Sequence, residues 1–129
     1  MSPVTIFIVD DDTAVRDSLK FLFESEGLAA EDFASGNEFM TSERPGEDDC
    51  IILDVQMPGM SGLDVLARLK REGSPSPVII ATSMPSPDTT RRAYSEGAFR
   101  VLDKPFDSGA LLGAVHEALR EAHKPALSR

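Results

Sequence analysis

Five residues of this 129-residue chain have the types and spacing to act together: the adjacent acids Asp10 and Asp11, the carboxylate Asp54, the hydroxyl of Thr82 and the ammonium of Lys104. Each closes or follows a short apolar run: V-T-I-F-I-V before Asp10, I-I-L before Asp54, P-V-I-I-A-T ending in Thr82, and F-R-V-L ahead of Asp103-Lys104. Carboxylates that converge repel, by about 4 kcal/mol for a pair about 4 Å apart at an effective dielectric of 20. They therefore share protons or hold a cation. Hard oxygen ligands with room for water suit Mg²⁺, which takes one or two carboxylates and completes its shell with water and phosphate oxygens. A hydroxyl and an ammonium beside such a cation form an apparatus for stabilising a transferring phosphoryl group. Asp54 itself can then act as nucleophile and carry the phosphoryl as an aspartyl-phosphate. Other chemistry is thinly supplied. His116 and His123 fall on the last predicted helix and are expected in solvent, Cys50 is alone, and neither G-x-x-x-x-G-K-[ST] nor G-x-G-x-x-G occurs.

The elements that would position these groups follow from hydrophobic pattern and capping signals. Val4–Val9 and Ile51–Leu53 are unbroken apolar runs, as expected of strands buried on both faces of a parallel sheet. Leu28–Phe33 is a weaker strand of mixed polarity, suited to an edge; Pro77–Thr82 and Phe99–Leu102 complete five. Helices fill the gaps. Asp12 caps the first, with Val15, Leu19, Leu22 and Phe23 on one face and Gly27 ending it. Ser35 with Glu38, and Ser61 with Asp64, read as capping boxes for the second and third, and Leu63, Leu66 and Leu69 mark the third. Ser86-Pro87 opens a short polar fourth helix running to Gly97, and Asp107 opens a fifth with Leu111, Leu112, Val115, Leu119 and Ala122 on its apolar side. Alternating strands and helices imply an α/β domain with a parallel sheet covered on both faces. In such a sheet all the strand ends that carry the candidate residues lie on one edge, where ligands bind.

Composition narrows the setting. The length is that of one domain, the mean hydropathy of -0.15 fits a globular chain, and the net charge of -9 disfavours nonspecific contact with nucleic acid or anionic membranes. The single cysteine permits no internal disulfide, and neither a signal peptide nor a membrane span is visible, so a cytoplasmic protein is expected. Glu47-Asp48-Asp49 reads as a solvated acidic loop, Cys50 as a small buried apolar residue, and Tyr94 as half-buried or partner-facing. Residues 1–122 form the expected domain, and 123–129, interrupted by Pro125, a tail or linker stub.

The motifs I-V-D-D-D, I-L-D-V-Q-M-P-G-M-S-G, I-I-A-T-S and L-D-K-P-F, in that order and spacing, resemble those of response-regulator receiver domains of the CheY-like superfamily, most closely the FixJ/NarL-type branch. The resemblance spans Val4 to Ala122. It implies a flavodoxin-like (βα)5 three-layer sandwich with strand order 2-1-3-4-5. It also implies that Asp54 accepts a phosphoryl group from a phosphohistidine on a sensor histidine kinase or phosphotransfer protein. Asp11 would ligate Mg²⁺ directly, with Asp54 and the backbone carbonyl of Gln56, and Asp10 through water. Lys104 would pair with Asp54 and then with the phosphoryl oxygens. Thr82 would move to hydrogen-bond them, drawing along the loop that begins at Ser83. The Lys104-Pro105 bond would be cis, and the side chains of Gln56 and Met84 would tune how long the phosphate survives. The output would be a change in the face made by the fourth helix, fifth strand and fifth helix, which the family commonly uses to form homodimers. A DNA-binding domain beyond Arg129 is implied, with a stand-alone receiver as the alternative.

Two departures from the family pattern bear on the switch. Val101 stands where an inward-rotating Phe or Tyr is usual, and Phe99, two residues earlier, is expected on the same sheet face one pleat away. The loop Met84-Pro85-Ser86-Pro87 is rich in proline, which restricts its motion. Coupling is therefore expected to run mainly through Thr82 and this stiff loop. Two rival functions remain open on the sequence. One is an aspartyl-nucleophile phosphohydrolase of haloacid-dehalogenase type, although the loops are short for a substrate-covering cap. The other is an interaction domain that works without phosphorylation.

Overall fold

A computed structural model describes residues 4–122 of the chain; the expectations for His123 and for the tail at 123–129 lie outside the described residues. Five strands alternate with five helices: β1 Thr5–Val9, α1 Thr13–Ser25, β2 Ala29–Phe33, α2 Gly36–Met40, β3 Cys50–Asp54, α3 Gly62–Arg71, β4 Val78–Thr82, α4 Pro87–Ser95, β5 Arg100–Asp103 and α5 Ser108–Ala122. All strand pairs are parallel and the sheet order is β2-β1-β3-β4-β5, with the polar β2 at an edge. This is the flavodoxin-like architecture. Among the described residues no helix is long and apolar enough to cross a membrane.

The central strands bury both faces because successive side chains alternate across a sheet. Phe7, Val9, Ile51, Leu53, Val78 and Ile80 pack in one core with Phe39, Leu63, Leu66 and Leu69 from α2 and α3. Ile6, Ile8, Cys50, Ile52 and Ile79 pack in the other with Leu19, Phe23, Leu111 and Val115 from α1 and α5. Cys50 is fully buried, and burial pushes its thiol up to about 12, which keeps it protonated and unreactive.

The capping signals are realised with one reduction. Asp12 accepts from the N–H groups of Ala14 and Val15, and Ser61 and Asp64 form a full capping box. At α2 only the Ser35 half forms, its Oγ accepting from the Glu38 N–H at 3.0 Å. Gly27 and Gly73, at φ of 82° and 75°, end α1 and α3 in the left-handed region that glycine adopts without strain.

Two expectations are corrected. Phe99 and Val101 do not share a sheet face: Val101 packs against the α2–α3 core and Phe99 against the α1–α5 core. The strand starts at Arg100, one residue later than the pattern indicates, and a bend at Phe99 breaks the two-residue alternation. The acidic loop is also less solvated than expected. Asp49 is half-buried and accepts from the Thr5 N–H at 3.1 Å and the Gly46 N–H at 2.8 Å, so it closes the start of β1.

Candidate phosphoryl-transfer site

The carboxyl ends of β1, β3, β4 and β5 bring Asp10, Asp11, Asp54, Thr82 and Lys104 to one edge of the sheet. One carboxylate oxygen from each of Asp10, Asp11 and Asp54 lies within 4.8 Å of the others. Asp10 and Asp54 are buried, both 4% exposed, whereas Asp11 faces solvent.

Asp10 is held from several directions. Its Oδ1 accepts from the Asp12 N–H at 2.9 Å, and its Oδ2 accepts from the Lys104 ammonium at 2.8 Å. Its backbone carbonyl accepts from the Arg16 guanidinium at 2.7 Å, while Arg16 also bonds Asp32 of β2 at 3.0 Å. Arg16 is a supporting residue that the sequence reading missed; nothing local in the chain announces that Asp32 is its partner.

Lys104 follows β5 and reaches both buried acids, but its hydrogen bond goes to Asp10; Asp54 Oδ1 is an ion-pair contact at 3.3 Å. The expected pairing with Asp54 is thus shared, and Asp10 takes the closer contact. Burial pulls the ammonium down, yet the hydrogen bond to Asp10 and the charges of Asp54 and Asp10 outweigh it, leaving Lys104 above its ordinary value. For Asp54 the balance runs the other way. Burial and the negative charge of Asp10 push its carboxyl up to about 6, against the downward pull of Lys104.

Asp54 Oδ1 is the one buried side-chain polar atom, among the described residues, without a hydrogen-bond partner. Such an atom ordinarily costs free energy, and its presence calls for an explanation. A divalent cation supplies one. Three hard carboxylates within reach of one another, one of them open to water, fit Mg²⁺ better than a softer metal, since His and Cys are absent from the cluster.

Below Asp54 the chain is tightly packed. Gly62, the first residue of α3, lies so close that a Cβ there would overlap the Asp54 carbonyl oxygen, and its N–H donates to the Val55 carbonyl at 3.1 Å. The sequence reading passed over this glycine. Its signal is a glycine directly after a helix cap, where any side chain would do for the helix alone.

The hydroxyl side of the site is organised by Gln56. Its side-chain Oε1 accepts from the Thr82 hydroxyl at 3.3 Å, the Ser83 N–H at 3.2 Å and the Ser83 hydroxyl at 3.3 Å. Thr82 is fully buried, and its Oγ1 accepts from the Met84 N–H at 3.1 Å. The Met84 side chain is 68% exposed. Val101, on the other edge strand, donates its N–H to the Tyr94 hydroxyl at 3.2 Å. The Lys104-Pro105 peptide is cis, and Pro105 lines a groove of about 620 Å³ with Ala14, Ser18, Ser83 and Phe106. His116 is exposed on the middle of α5.

Comparison with known proteins gives a consistent picture. Residues 6–116 match the family model described as the response regulator receiver domain. The transcriptional regulatory protein FixJ of Azorhizobium caulinodans is 40% identical over 114 residues, which is 88% of this chain and 54% of that protein. The response regulator protein TodT of Pseudomonas putida is 40% identical over 117 residues, 91% of this chain and 52% of that protein. The chain thus spans about half the length of these curated relatives. Among solved structures, response regulator StyR superposes with a TM-score of 0.87 at 36% identity, covering 94% of this chain and 61% of that one.

Proposed function

The chain belongs to the response regulator receiver domain family of two-component systems, and on that premise we propose that Asp54 is its phosphoacceptor. The observation that carries the reading is the buried Oδ1 of Asp54, which accepts no hydrogen bond and lies 3.3 Å from the Lys104 ammonium within a cluster of three carboxylates. A carboxylate oxygen with a free lone pair is what attack on phosphorus requires. The P–N bond of a phosphohistidine breaks as a P–O bond to Asp54 forms, and the imidazole of the donor leaves with the electron pair. The donor is a sensor histidine kinase or a phosphotransfer protein.

Asp11, Asp54 and the Gln56 backbone carbonyl would hold Mg²⁺, with Asp10 set back because both of its oxygens already have partners. When bound, the cation neutralises charge on the phosphoryl oxygens and on the acids. The residues do the rest. Lys104, drawn between Asp10 and Asp54, is in position to follow the new negative charge, and the Thr82 hydroxyl, bonded to Gln56, would turn to donate to it. The added charge of about -1.5 to -2 and one to three charge-assisted hydrogen bonds bias the β4–α4 loop.

The loop in turn alters the face made by α4, β5 and α5, through which we propose the domain pairs with a second copy. Val101 cannot act there as a rotating aromatic. The output is read as transcriptional, through a segment beyond this chain, by analogy with the regulators it resembles. The domain itself, with a net charge of -9, is not a nucleic-acid binder in this reading, and it works in the cytoplasm. It is a phosphoacceptor that assists its own phosphorylation and dephosphorylation, without turning over an external substrate. In this reading residues 1–122 make up the domain, and 123–129 count as a tail or linker stub.

Incubation with Mg²⁺ and acetyl phosphate tests the reading. Intact-mass analysis should show one added phosphoryl group, none on Asp54→Asn, and none when the divalent ion is chelated. An adduct that persists on Asp54→Asn at the same level would overturn it.

A further inference from the structure

Gln56 ties two strand-end loops together through one atom. Its amide orientation is fixed by chemistry, because a backbone N–H only donates and the Ser83 N–H points at this atom, which must be the oxygen. That oxygen meets three donors, from Thr82 and from both polar groups of Ser83, at 3.2–3.3 Å. A carbonyl oxygen has two lone pairs, so the site is oversubscribed, and each bond is longer than the usual optimum. The Thr82 hydroxyl has a single proton and gives it to Gln56. It gives none to Asp54 Oδ1, which accepts no hydrogen bond and has only the Lys104 ammonium, at 3.3 Å, as an ion-pair contact.

We infer that the Gln56 side chain is a positioning residue that holds the Thr82 hydroxyl and the Ser83 segment away from the phosphoacceptor, and that occupation of Asp54 must break this hold. The inference rests on the Asp54 reading given above. A phosphoryl oxygen is a charged acceptor and competes well against a shared neutral one. When Thr82 turns its proton to that oxygen, its own Oγ1 carries the Met84 N–H with it, since Met84 donates to that atom. Ser83 then either follows or takes the vacated lone pair. The hold is weak enough to be released and specific enough to set how much of the loop rests in the released arrangement. Gln56 thereby fixes the threshold of the switch.

Two substitutions separate this from a merely structural role. Gln56→Met keeps the length of the side chain and removes the acceptor; Gln56→Glu keeps an acceptor and makes it charged. Gln56 is half-exposed at the loop surface, so both should fold, as a urea titration would verify. Hydrogen exchange of the Ser83 amide, measured by NMR without any phosphoryl donor, should quicken about five- to tenfold in Gln56→Met and slow in Gln56→Glu. The affinity for beryllofluoride with Mg²⁺, a non-covalent stand-in for the phosphoryl group, should rise about fivefold in Gln56→Met. Unchanged exchange at Ser83 in Gln56→Met would overturn the hold. Faster exchange with unchanged beryllofluoride affinity would overturn its coupling to Asp54. A wild-type protein that takes neither beryllofluoride nor phosphate would remove the Asp54 reading and the coupling with it, while the exchange arm still decides the hold.

Discussion

On one side of the site, Lys104 lies 2.8 Å from Asp10 and 3.3 Å from Asp54, in a buried pocket braced by Arg16 and floored by Gly62. On the other, Gln56, Thr82, Ser83 and Met84 are linked by neutral hydrogen bonds of 3.1–3.3 Å beside solvent. The first group joins residues far apart in sequence by full charges in a low dielectric, where each interaction is strong and costly to lose. The second joins neighbouring loops by bonds worth about 1 kcal/mol each. In the proposed reading, one half would hold its geometry while charge arrives and the other would let go. A receiver needs both, since a site that yielded everywhere would not orient the phosphoryl group, and one that yielded nowhere would not report it.

The contrast is broken most severely at Lys104. Lys104→Met leaves two buried carboxylates without their cation and should cost about 3 kcal/mol of unfolding free energy near neutral pH, measured by urea titration. The loss should shrink as pH falls, because the orphaned acids take up protons and stop repelling. Divalent cation should restore part of it. A loss below about 0.5 kcal/mol, within the range of ordinary surface changes, would mean that the charged half is not held by charge.

Asp54 sharpens the same contrast with the opposite sign. Its carboxyl is raised from 3.8 to about 6, so the folded state binds its proton more tightly than the unfolded state. Between about pH 4 and 6 the native protein carries the extra proton, and stability from this group falls as pH rises through that window. Above it the penalty is complete, at about 2–3 kcal/mol for a shift of this size. Asp54→Asn removes the charge, so without divalent ion it should be more stable than wild type by about 2 kcal/mol at pH 7, with the advantage vanishing below pH 4. Paired urea titrations at the two pH values check this. A constant difference across the window would show that packing, not ionisation, separates the two proteins.

How much of this was legible in the chain depends on how local the cause is. Asp10, Asp54 and Lys104 could be placed because apolar runs end at them, and a parallel sheet puts such ends on one edge. The caps at Asp12, Ser61 and Ser86 were legible for the same reason, since each bond spans three residues or fewer. The Arg16–Asp32 pair, the fit of Gly62 under Asp54 and the preference of Lys104 for Asp10 were not, because each depends on the separation of elements in space. Phe99 shows the limit of pattern reading from another side. Alternation predicts a shared face with Val101 only if the strand is continuous, and a single bend before Arg100 sends the ring to the opposite core.

The smallest effect is expected at Thr82, where the neutral half can be tested alone. Thr82→Val keeps the shape and removes the hydroxyl, so Gln56 loses one of three donors and the Met84 N–H loses its acceptor. Gln56 is left with the two donors of Ser83, which match its two lone pairs, so that end loses little. The Met84 N–H lies at the exposed start of the β4–α4 loop and can turn to water. The net cost should be about 1 kcal/mol. Because no charge is involved, the cost should be the same at pH 5 and pH 8 and at low and high salt, whereas the Lys104→Met loss should vary with both. A Thr82→Val cost that tracked pH in step with Asp54 would mean that the two halves share one electrostatic network, and the division between a fixed side and a yielding side would fall.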